Sequence, residues 1–420
     1  MEMDPKILLK VVEMYGTPIY IYDEDIIRKN YRVFLSAFKS LYKKTKVLYA
    51  YKANTNLAIC RILQQEGAGA DVVSIGELEA ALKVGVKPRQ IIFTNNSKTD
   101  EDLKNALESN VIINIDSKDE LSMVNRIAGK SGKKARISFR VNPSVDPKTH
   151  PRIATGLKES KFGLHIENNI AFEGYRIAKE LDNLEVVGIH THIGSQITDM
   201  TAFKDATEKV MEFTKKLKNE LDIELEFVDL GGGLGISYRE EIDANPDSLA
   251  NTVVPVFKEY LNDLGYDLEL WLEPGRYLVG NAGILICRVN SIKETPYKKF
   301  VNVDTGFNTL IRPAMYNAYH KIRVLNRWDQ VAEEEYDIAG NICESGDIFA
   351  KNRKLPRVEE GDLIAILDAG AYGFAMSSQY NSRPRPAEVL LWGKTVEVIR
   401  ERETYEDLFR NQKIPKDLLE

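Results

Sequence analysis

This chain of 420 residues has few cysteines, no excess of basic over acidic residues and no long apolar run. Its cysteines (Cys60, Cys287 and Cys343) show no C-x-x-C spacing, so neither a disulfide framework nor a metal site is predicted. The formal net charge of −6 provides no basic surface for nucleic acid. No apolar run reaches the roughly 18 residues that span a bilayer, and the charged segment 1–10 lacks a signal-peptide core. We therefore expect a cytoplasmic protein without a membrane partner.

Alternating strands and amphipathic helices are predicted in the first two thirds of the chain. Strands are predicted at 46–51, 70–73, 91–94, 111–115, 135–141, 185–192, 225–230 and 268–273. Helices are predicted at 55–66, 74–84, 101–109, 117–129, 200–219 and 249–264. Eight strands, each followed by a helix or a crossover, predict an α/β fold of the (β/α)₈ barrel type. The longest connection, 142–163, is predicted to be a functional or interface loop.

The pattern changes after about residue 280, where short strands and turns replace the helices. Strands are predicted at 284–289, 299–303, 336–339, 363–367 and 394–399, which indicates a β domain. An early strand-like segment, 17–23, is compatible with the same sheet, and 404–420 is predicted to be a helix and a polar tail. The predicted domains are therefore a barrel over 36–280 and a β domain formed by 1–35 and 281–420. Within the barrel, Ser74 and Glu77 fit a helix capping box.

The segment K-V-L-Y-A-Y-K-A-N (46–54) carries an apolar strand directly into Lys52. A lysine at the end of a strand buried on both faces is partly dry, so its ammonium is costly and its neutral amine more accessible. Carbonyl chemistry, such as a Schiff base with pyridoxal, needs such an amine. The alternative is a lysine that snorkels to water, and taken alone the segment favours that alternative.

Residues at the ends of other predicted strands indicate which kind of ligand Lys52 would bind. Glycines 231–233 follow the seventh strand and Arg276 follows the eighth, which predicts a phosphate site rather than a flexible turn. Ser195 is a candidate hydroxyl donor. Glu273 is either a salt-bridge partner or a carboxylate that holds a proton on a pyridine nitrogen. His192 is a core residue, a base, or an imidazole ring that stacks on a flat cofactor. Together these groups fit pyridoxal phosphate better than a phosphorylated sugar.

Six motifs in sequence order carry a family resemblance. They are Y-A-Y-K-A-N (49–54), H-T-H-I-G-S-Q (190–196), G-G-G-L-G (231–235), E-P-G-R (273–276), C-E-S-G-D (343–347) and D-A-G-A-Y-G (368–373). Together they resemble the fold type III pyridoxal-phosphate-dependent decarboxylases, over nearly the whole chain. Within that family the chain is most similar to the diaminopimelate decarboxylase branch. The resemblance implies an alanine-racemase-like barrel joined to a mainly β domain.

The resemblance also implies roles for individual residues around pyridoxal 5′-phosphate. Lys52 would form the Schiff base, His192 would stack on the ring, and Glu273 would pair with the pyridine nitrogen. The remaining cofactor-binding residues, at the phosphate or in support of the lysine and ring, would be Asp71, Arg140, Ser195, Gly231, Gly232, Gly233, Gly275, Arg276 and Tyr372.

Substrate contacts are implied by the segment 312–320 and by the C-E-S-G-D motif. Cys343 would donate the proton that replaces carbon dioxide, although the same residue could be a small buried hydrophobe. Glu344 would accept the distal ammonium of the substrate. The distal carboxylate would be held by Arg276, Arg312 and Tyr316, with Tyr372 nearby. In this family the C-E pair enters the partner subunit's site, so a homodimer with shared sites is expected.

The resulting expectation is an enzyme that converts meso-2,6-diaminopimelate to L-lysine and carbon dioxide, the last step of lysine biosynthesis. The same fold also leaves open an ornithine, arginine or carboxynorspermidine-type decarboxylase. Ornithine lacks the second carboxylate, which would leave two arginines unpaired. Two different classes also stay open: a non-catalytic barrel protein that handles pyridoxal phosphate, and a cofactor-free barrel that binds a sugar phosphate.

Overall fold

The computed structural model describes residues 3–239, 245–393 and 395–418. They fall into two compact units, which we name the barrel unit (Ile27–Val279) and the β unit (Met1–Ile26 with Gly280–Glu420). The sequence-based division at residues 36 and 280 stays a prediction of where separate domains end.

Helices alternate with strands through the barrel unit, and strands predominate in the β unit. The α-helices are α1 (Pro5–Tyr15), α2 (Glu24–Leu41), α3 (Leu57–Gln65), α4 (Ile75–Lys83), α5 (Asp100–Glu108), α6 (Lys118–Lys130), α7 (Ile170–Lys179), α8 (Met200–Leu221), α9 (Pro246–Leu264), α10 (Arg276–Val279), α11 (Arg312–Tyr316) and α12 (Tyr405–Phe409). The strands are β1 (Ile19–Asp23), β2 (Thr45–Ala50), β3 (Gly69–Val72), β4 (Ile91–Phe93), β5 (Ile112–Ile115), β6 (Ala135–Asn142), β7 (Leu164–His165), β8 (Leu184–His190), β9 (Phe227–Asp229), β10 (Glu269–Leu272), β11 (Gly283–Glu294), β12 (Lys299–Val303), β13 (Ile322–Val324), β14 (Glu334–Ala339), β15 (Ile348–Leu355), β16 (Leu363–Ile366), β17 (Ala387–Trp392) and β18 (Thr395–Arg400).

The barrel unit closes through parallel pairing in the order β2-β3-β4-β5-β6-β8-β9-β10 and back to β2. These are the eight predicted strands, so the (β/α)₈ prediction is confirmed for the described residues. Nearly every residue of these strands is buried, as expected for parallel strands covered on both faces. Inside the barrel a cluster of apolar side chains is fully packed, and the Phe227 and Trp271 rings stack 3.8 Å apart. The rigid ring of strands positions the residues at its carboxyl end.

The start of α4 differs in one bond from the predicted capping box. Ser74 caps the helix by accepting from the Glu77 amide at 3.2 Å, as predicted. The Glu77 carboxylate, however, accepts from the amide of Val73 at 2.8 Å and not from that of Ser74. The side chain thereby turns toward the end of β3, where Asp71 lies.

The β unit contains a mixed sheet in the order β15-β14-β12-β11-β1-β17-β18, with β16 pairing with both β11 and β13. The early strand β1 pairs antiparallel with β11 and parallel with β17, so segment 17–23 does belong to this sheet. Helix α1 packs its apolar face, including Leu8 and Val11, against Ile19 and Ile286 of the sheet. A β domain after the barrel is therefore confirmed. Among the described residues, every helix is too short or too polar to traverse a lipid bilayer.

Candidate active site

Lys52 lies just past the end of β2, in the single 3₁₀ turn Tyr51–Ala53. Its Nζ donates to Oδ2 of Asp71 at 2.7 Å, and Asp71 is completely buried while the Lys52 side chain is 32% exposed. The other Asp71 oxygen accepts from the hydroxyl of Thr94. The carboxylate is thus fixed by two donors, and it holds the lysine amine at the barrel mouth where a small molecule can still reach it.

Glu77 is a second carboxyl group near this lysine. Burial raises the pKa of Glu77 to about 7, and the neighbouring charge of Asp71 adds to the effect, against the opposing Val73 amide and Lys52. Near neutral pH this group therefore changes its protonation within the electrostatic reach of the lysine.

Glu273 follows β10, beside the last residues of β8 and β9. Its Oε2 lies 3.1 Å from Nε2 of His190, whereas no N–H or hydroxyl group of the described residues reaches its buried Oε1. Burial opposes ionisation of Glu273, but its interactions with His190, including a hydrogen bond, and with the cation Lys52 outweigh it and lower its pKa. Burial, the charge of Glu273 and a hydrogen bond with the Glu273 side chain raise the pKa of Asp229 well above its usual range. The site therefore keeps one ionised carboxylate, Glu273, beside a carboxyl group that holds its proton.

His192 lies two residues beyond the end of β8. Its Nδ1 accepts from the Gly232 amide at 3.2 Å. Burial lowers its pKa well below the ordinary 6.5, and the cations Lys52 and Arg140 lower it further. The imidazole is therefore neutral near pH 7 and presents a flat, uncharged face, which suits stacking on an aromatic ring better than base catalysis.

The glycine triplet after β9 is tightly packed and is not a flexible turn. Gly231 and Gly233 have φ of 69° and 117°, which L-residues rarely adopt. At Gly232 a Cβ atom would overlap the carbonyl oxygen of Glu273. The Gly231 amide donates to Oδ1 of Asp229 at 2.8 Å, and the Gly232 amide binds His192. These two amides therefore stabilise the site itself, and at all three glycines a side chain would meet backbone atoms of the protein.

Arg276 begins α10 and gathers hydroxyl groups around a buried guanidinium. Its Nη2 donates to Oγ of Ser195 at 2.9 Å, and its Nη1 donates to Oη of Tyr238 at 2.8 Å. The preceding Gly275 allows this turn to pack against Ala50 of β2. A guanidinium beside a serine hydroxyl is a donor set that suits a phosphate or a carboxylate.

Arg140 and the long connection 142–163 complete this end of the barrel. The guanidinium of Arg140 lies 4.3 Å from the centre of the Phe162 ring. The connection is fixed at both sides, since Gly163 donates its amide to Asp116 at 2.9 Å and Thr155 donates its hydroxyl to the carbonyl of His192 at 2.7 Å. The loop is thus tied to the residues of the site.

In the β unit, Arg312 is buried at the start of α11. Its Nη1 donates to Nε2 of His320 at 2.7 Å, while the other ring nitrogen donates to the carbonyl of Leu367 at 2.8 Å. Tyr316 lies four residues later and hence on the same side of this short helix. Tyr372 has φ of 56°, a left-handed conformation that is uncommon for a tyrosine and often marks a functional position.

Cys343 and Glu344 are exposed in the described chain. The Cys343 amide donates to Oδ1 of Asn381 at 3.0 Å, and Glu344 accepts from the hydroxyl of Tyr380 at 2.6 Å. The exposed thiol rules out the alternative of a small hydrophobe buried in its own chain. The backbone of Cys343 and the side chain of Glu344 are thus held in place, while the Cys343 thiol stays exposed.

Three buried residues of the barrel unit were given no role from the sequence: Asn114, Asp229 and His190, although His190 stands at a predicted strand end. Each lies at or next to a strand end, and His190 is two residues before His192, which places the two on the same side of an extended chain. Asp229 likewise precedes Gly231 by two positions. Polar residues at the end of an otherwise apolar strand were the available signal.

Comparisons with known proteins agree with this geometry. Residues 25–280 match the family model described as the pyridoxal-dependent decarboxylase, pyridoxal binding domain. A diaminopimelate decarboxylase of Archaeoglobus fulgidus is 50% identical over 410 residues, which cover 98% of this chain and 96% of that relative. A structure of the M. jannaschii diaminopimelate decarboxylase in complex with L-lysine superposes with a TM-score of 0.92 at 45% identity, covering 98% and 95% of the two chains. The Helicobacter pylori enzyme with L-lysine gives 0.89 at 42% identity, covering 96% and 98%.

Proposed function

The chain belongs to the pyridoxal-dependent decarboxylases, in their diaminopimelate decarboxylase branch, and from this premise we propose that it converts meso-2,6-diaminopimelate to L-lysine and carbon dioxide. The relatives that are similar over almost the whole chain carry that name, and two of their structures contain L-lysine, the expected product. The cysteines all carry free thiols, and a reducing cytoplasmic location stays a prediction.

The observation that carries the proposal is the buried, ionised carboxylate of Glu273 at the same barrel mouth as Lys52, because no N–H group of the described residues reaches its Oε1. A protonated pyridine nitrogen would supply a charged donor there, which is a stronger partner than the neutral carboxyl group of Asp229. The neutral face of His192 and the Arg276–Ser195 pair match the ring and the phosphate of the same molecule. The residues present therefore fit pyridoxal 5′-phosphate, the cofactor that the family implies.

When bound, pyridoxal phosphate supplies an aldehyde that links to amines and a protonated ring that accepts the electron pair left by departing carbon dioxide. The chain's own residues prepare that chemistry. Lys52 offers the amine, and Asp71 positions it. Glu273 keeps a proton on the ring nitrogen, and Arg276 with Ser195 holds the phosphate. The tightly packed Gly231–Gly233 loop would border the phosphate.

Cys343, Glu344, Arg312, Tyr316 and Tyr372 would serve the substrate. Cys343 would deliver the proton that the α-carbon takes up, and Glu344 would bind the distal ammonium. Arg312, assisted by Tyr316 and by Arg276 of the barrel unit, would bind the distal carboxylate in charge-assisted hydrogen bonds. This feature would exclude ornithine, because an arginine facing no carboxylate would lose its partner.

A homodimer is part of the proposal. The thiol of Cys343 and the carboxylate of Glu344 are both exposed in the single chain. A proton donor for an α-carbon works best where water is excluded, and a partner subunit would provide that cover. We therefore place Cys343 and Glu344 of one chain in the service of the barrel site of the other.

A product assay tests the proposed activity. The purified chain, incubated with pyridoxal phosphate and meso-diaminopimelate, should release L-lysine and carbon dioxide in equal amounts. Ornithine should give putrescine at least about a hundredfold less efficiently, since the missing carboxylate forfeits more than one charge-assisted bond. Putrescine at comparable efficiency would contradict the substrate assignment. A bound yellow chromophore without carbon dioxide release from any diamino acid would identify a non-catalytic carrier.

A further inference from the structure

A chain of buried hydrogen bonds lies behind Glu273, inside the barrel. The hydroxyl of Ser138 donates to Oδ1 of Asn114 at 2.7 Å. Nδ2 of Asn114 lies 3.1 Å from Nδ1 of His190. Nε2 of His190 lies 3.1 Å from Oε2 of Glu273. All four side chains are buried, so water does not compete for these bonds.

The first of these hydrogen bonds determines which group donates and which accepts in the others. Because Oδ1 of Asn114 accepts from Ser138, the amide nitrogen is the end that faces His190, and an amide nitrogen can only donate. Nδ1 of His190 must then be the acceptor, which places the ring proton on Nε2. That proton points at Glu273.

The donation selects one of two neighbouring carboxyl groups. The ligand atoms of His190, Asp229 and Glu273 lie within 4.8 Å of one another, and each carboxyl group has a buried oxygen that no N–H or hydroxyl group of the described residues reaches. Two carboxylates so close together do not both ionise readily. The hydrogen bond from His190 favours the charge on Glu273, whereas burial raises the pKa of Asp229.

We propose that Asn114 is a positioning residue: by holding His190 in its Nε2–H form, it keeps Glu273 ionised and turns Oε1 of Glu273 toward the ring nitrogen of the cofactor. This inference rests on the proposed function for its last step. Asn114 itself touches neither the cofactor nor the substrate in this arrangement; it acts through His190.

The state of the His190 ring can be measured without any cofactor. Histidine-labelled full-length chain contains five histidines, and the ¹⁵N NMR signal that disappears in His190→Gln belongs to His190. We expect a neutral ring protonated on Nε2. A ring protonated on Nδ1, or a doubly protonated ring, would overturn the proposal, because Asn114 would then have to accept. The outcome does not depend on whether the chain is a decarboxylase.

The affinity of the full-length chain for pyridoxal phosphate gives the second readout. Asn114→Leu should weaken binding about tenfold, the usual effect of losing one hydrogen bond to a charged group. Asn30→Leu is the control: Asn30 is also buried, in α2, where its Nδ2 donates to the carbonyl of Leu278 at 3.1 Å. An equal loss of affinity in both variants would reduce Asn114 to a structural role and overturn the proposal.

Two substitutions of His190 distinguish the effect of its N–H donor from the effect of its side-chain packing. His190→Leu should lower the cofactor affinity at least as much as Asn114→Leu, about tenfold. His190→Gln keeps an N–H that can reach Glu273 and should recover most of that loss. In the His190→Leu background, Asn114→Leu should weaken the cofactor affinity by less than a further factor of about two, because there is no imidazole whose protonation Asn114 could set. If the losses of affinity from the two substitutions add fully, Asn114 does not act through His190 and the proposal is contradicted.

If the wild-type protein binds no pyridoxal phosphate at all, the proposed function fails. The NMR measurement still decides whether Asn114 sets the protonation of the His190 ring.

Discussion

The two units hold their candidate residues in opposite ways. In the barrel unit, Lys52 and Glu273 each have a buried partner, Asp71 and His190, within hydrogen-bond distance. In the β unit, Cys343 and Glu344 are exposed; Cys343 is bonded through its backbone amide, and the Glu344 carboxylate accepts from the Tyr380 hydroxyl. The groups proposed for the cofactor are thus preorganised within one chain. Two groups proposed for the substrate are exposed and would need a partner subunit to shield them from water. This contrast is what a site shared between subunits would produce.

The largest expected effect comes from mixing two defective chains. Lys52→Ala and Cys343→Ala should each lower lysine release by at least about a thousandfold, since each removes a group that reacts. After the two variants are unfolded together and refolded, random pairing should restore about a quarter of the wild-type sites.

The same experiment has a clear control. Each variant refolded alone, at the same total concentration, should stay inactive. No recovery in the mixture, with mixed dimers demonstrated by mass, would show that each site is built from a single chain and would remove the contrast between the units.

The second effect concerns Arg312, the buried cation of the β unit. Arg312→Leu should raise KM for meso-diaminopimelate about tenfold to a hundredfold, because one charge-assisted contact to the distal carboxylate is lost. The absorption of bound pyridoxal phosphate should be unchanged, since Arg312 is assigned to the substrate. Weakened cofactor binding in this variant would mean that the two functions are not divided as proposed. Tyr316→Phe should give the milder loss of one neutral hydrogen bond, a few-fold in KM.

The third effect tests how rigid the cofactor side is. Gly232→Ala forces a Cβ against the carbonyl of Glu273, and backbone atoms cannot yield easily, so we expect a loss of at least about 3 kcal/mol in unfolding free energy. At Gly76, in α4, the nearest atom to such a Cβ is Oγ of Ser74 at 3.8 Å, which is an ordinary contact. Gly76→Ala is therefore the control and should cost under about 1 kcal/mol, since alanine is at least as favourable as glycine in a helix. Equal losses in urea unfolding would argue against a tightly packed loop.

The smallest effect is a pH dependence at Glu77. Its pKa is raised from 4.5 to about 7, mainly by burial, so the folded chain binds this proton more tightly than the unfolded chain. The contribution to stability is full below about pH 4.5 and is lost as the pH rises to about 7. Glu77→Gln should therefore gain about 1–2 kcal/mol relative to wild type between these limits, a range reduced for the opposing Lys52.

Urea unfolding at about pH 5 and pH 8 measures this change. Glu79→Gln is the control, because Glu79 lies on the same helix and is exposed. A stability difference for Glu77→Gln that does not vary with pH would show that the Glu77 carboxyl group stays ionised at both pH values. The barrel mouth would then be more solvated than the burial of Glu77 implies.

The barrel was predictable because its strands are buried on both faces. Val47–Ala50 and Ile112–Ile115 are nearly continuous apolar runs, which is the pattern of parallel strands. In the β unit the pattern is weaker. Strand β15 contains K-N-R-K with exposed side chains, β13 is only three residues long, and neither was predicted. Strand β17 was missed as well, although it is mostly buried, because the prolines just before it obscure its start.

Site residues were predictable where chemistry leaves a local motif, and not where it depends on contacts across strands. Lys52, His192 and Glu273 stand in recognisable motifs at strand ends. The role of Asn114 depends on β5 and β8 bringing it within reach of His190, 76 positions away in the chain. The turn of Glu77 toward the Val73 amide depends on how α4 leaves β3. Such relations arise from three-dimensional packing, which strand periodicity does not encode.

Chemical trapping at Lys52 tests the central claim, that the barrel mouth binds pyridoxal phosphate through this lysine. The full-length chain is loaded with the cofactor and reduced with borohydride, and its peptides are identified by mass spectrometry. We predict a single phosphopyridoxyl label on Lys52. Lys98 is the internal comparison, because its Nζ is buried and bound to Glu120 at 2.5 Å. A label on Lys98 or another lysine, or no label despite saturating cofactor, would contradict the account.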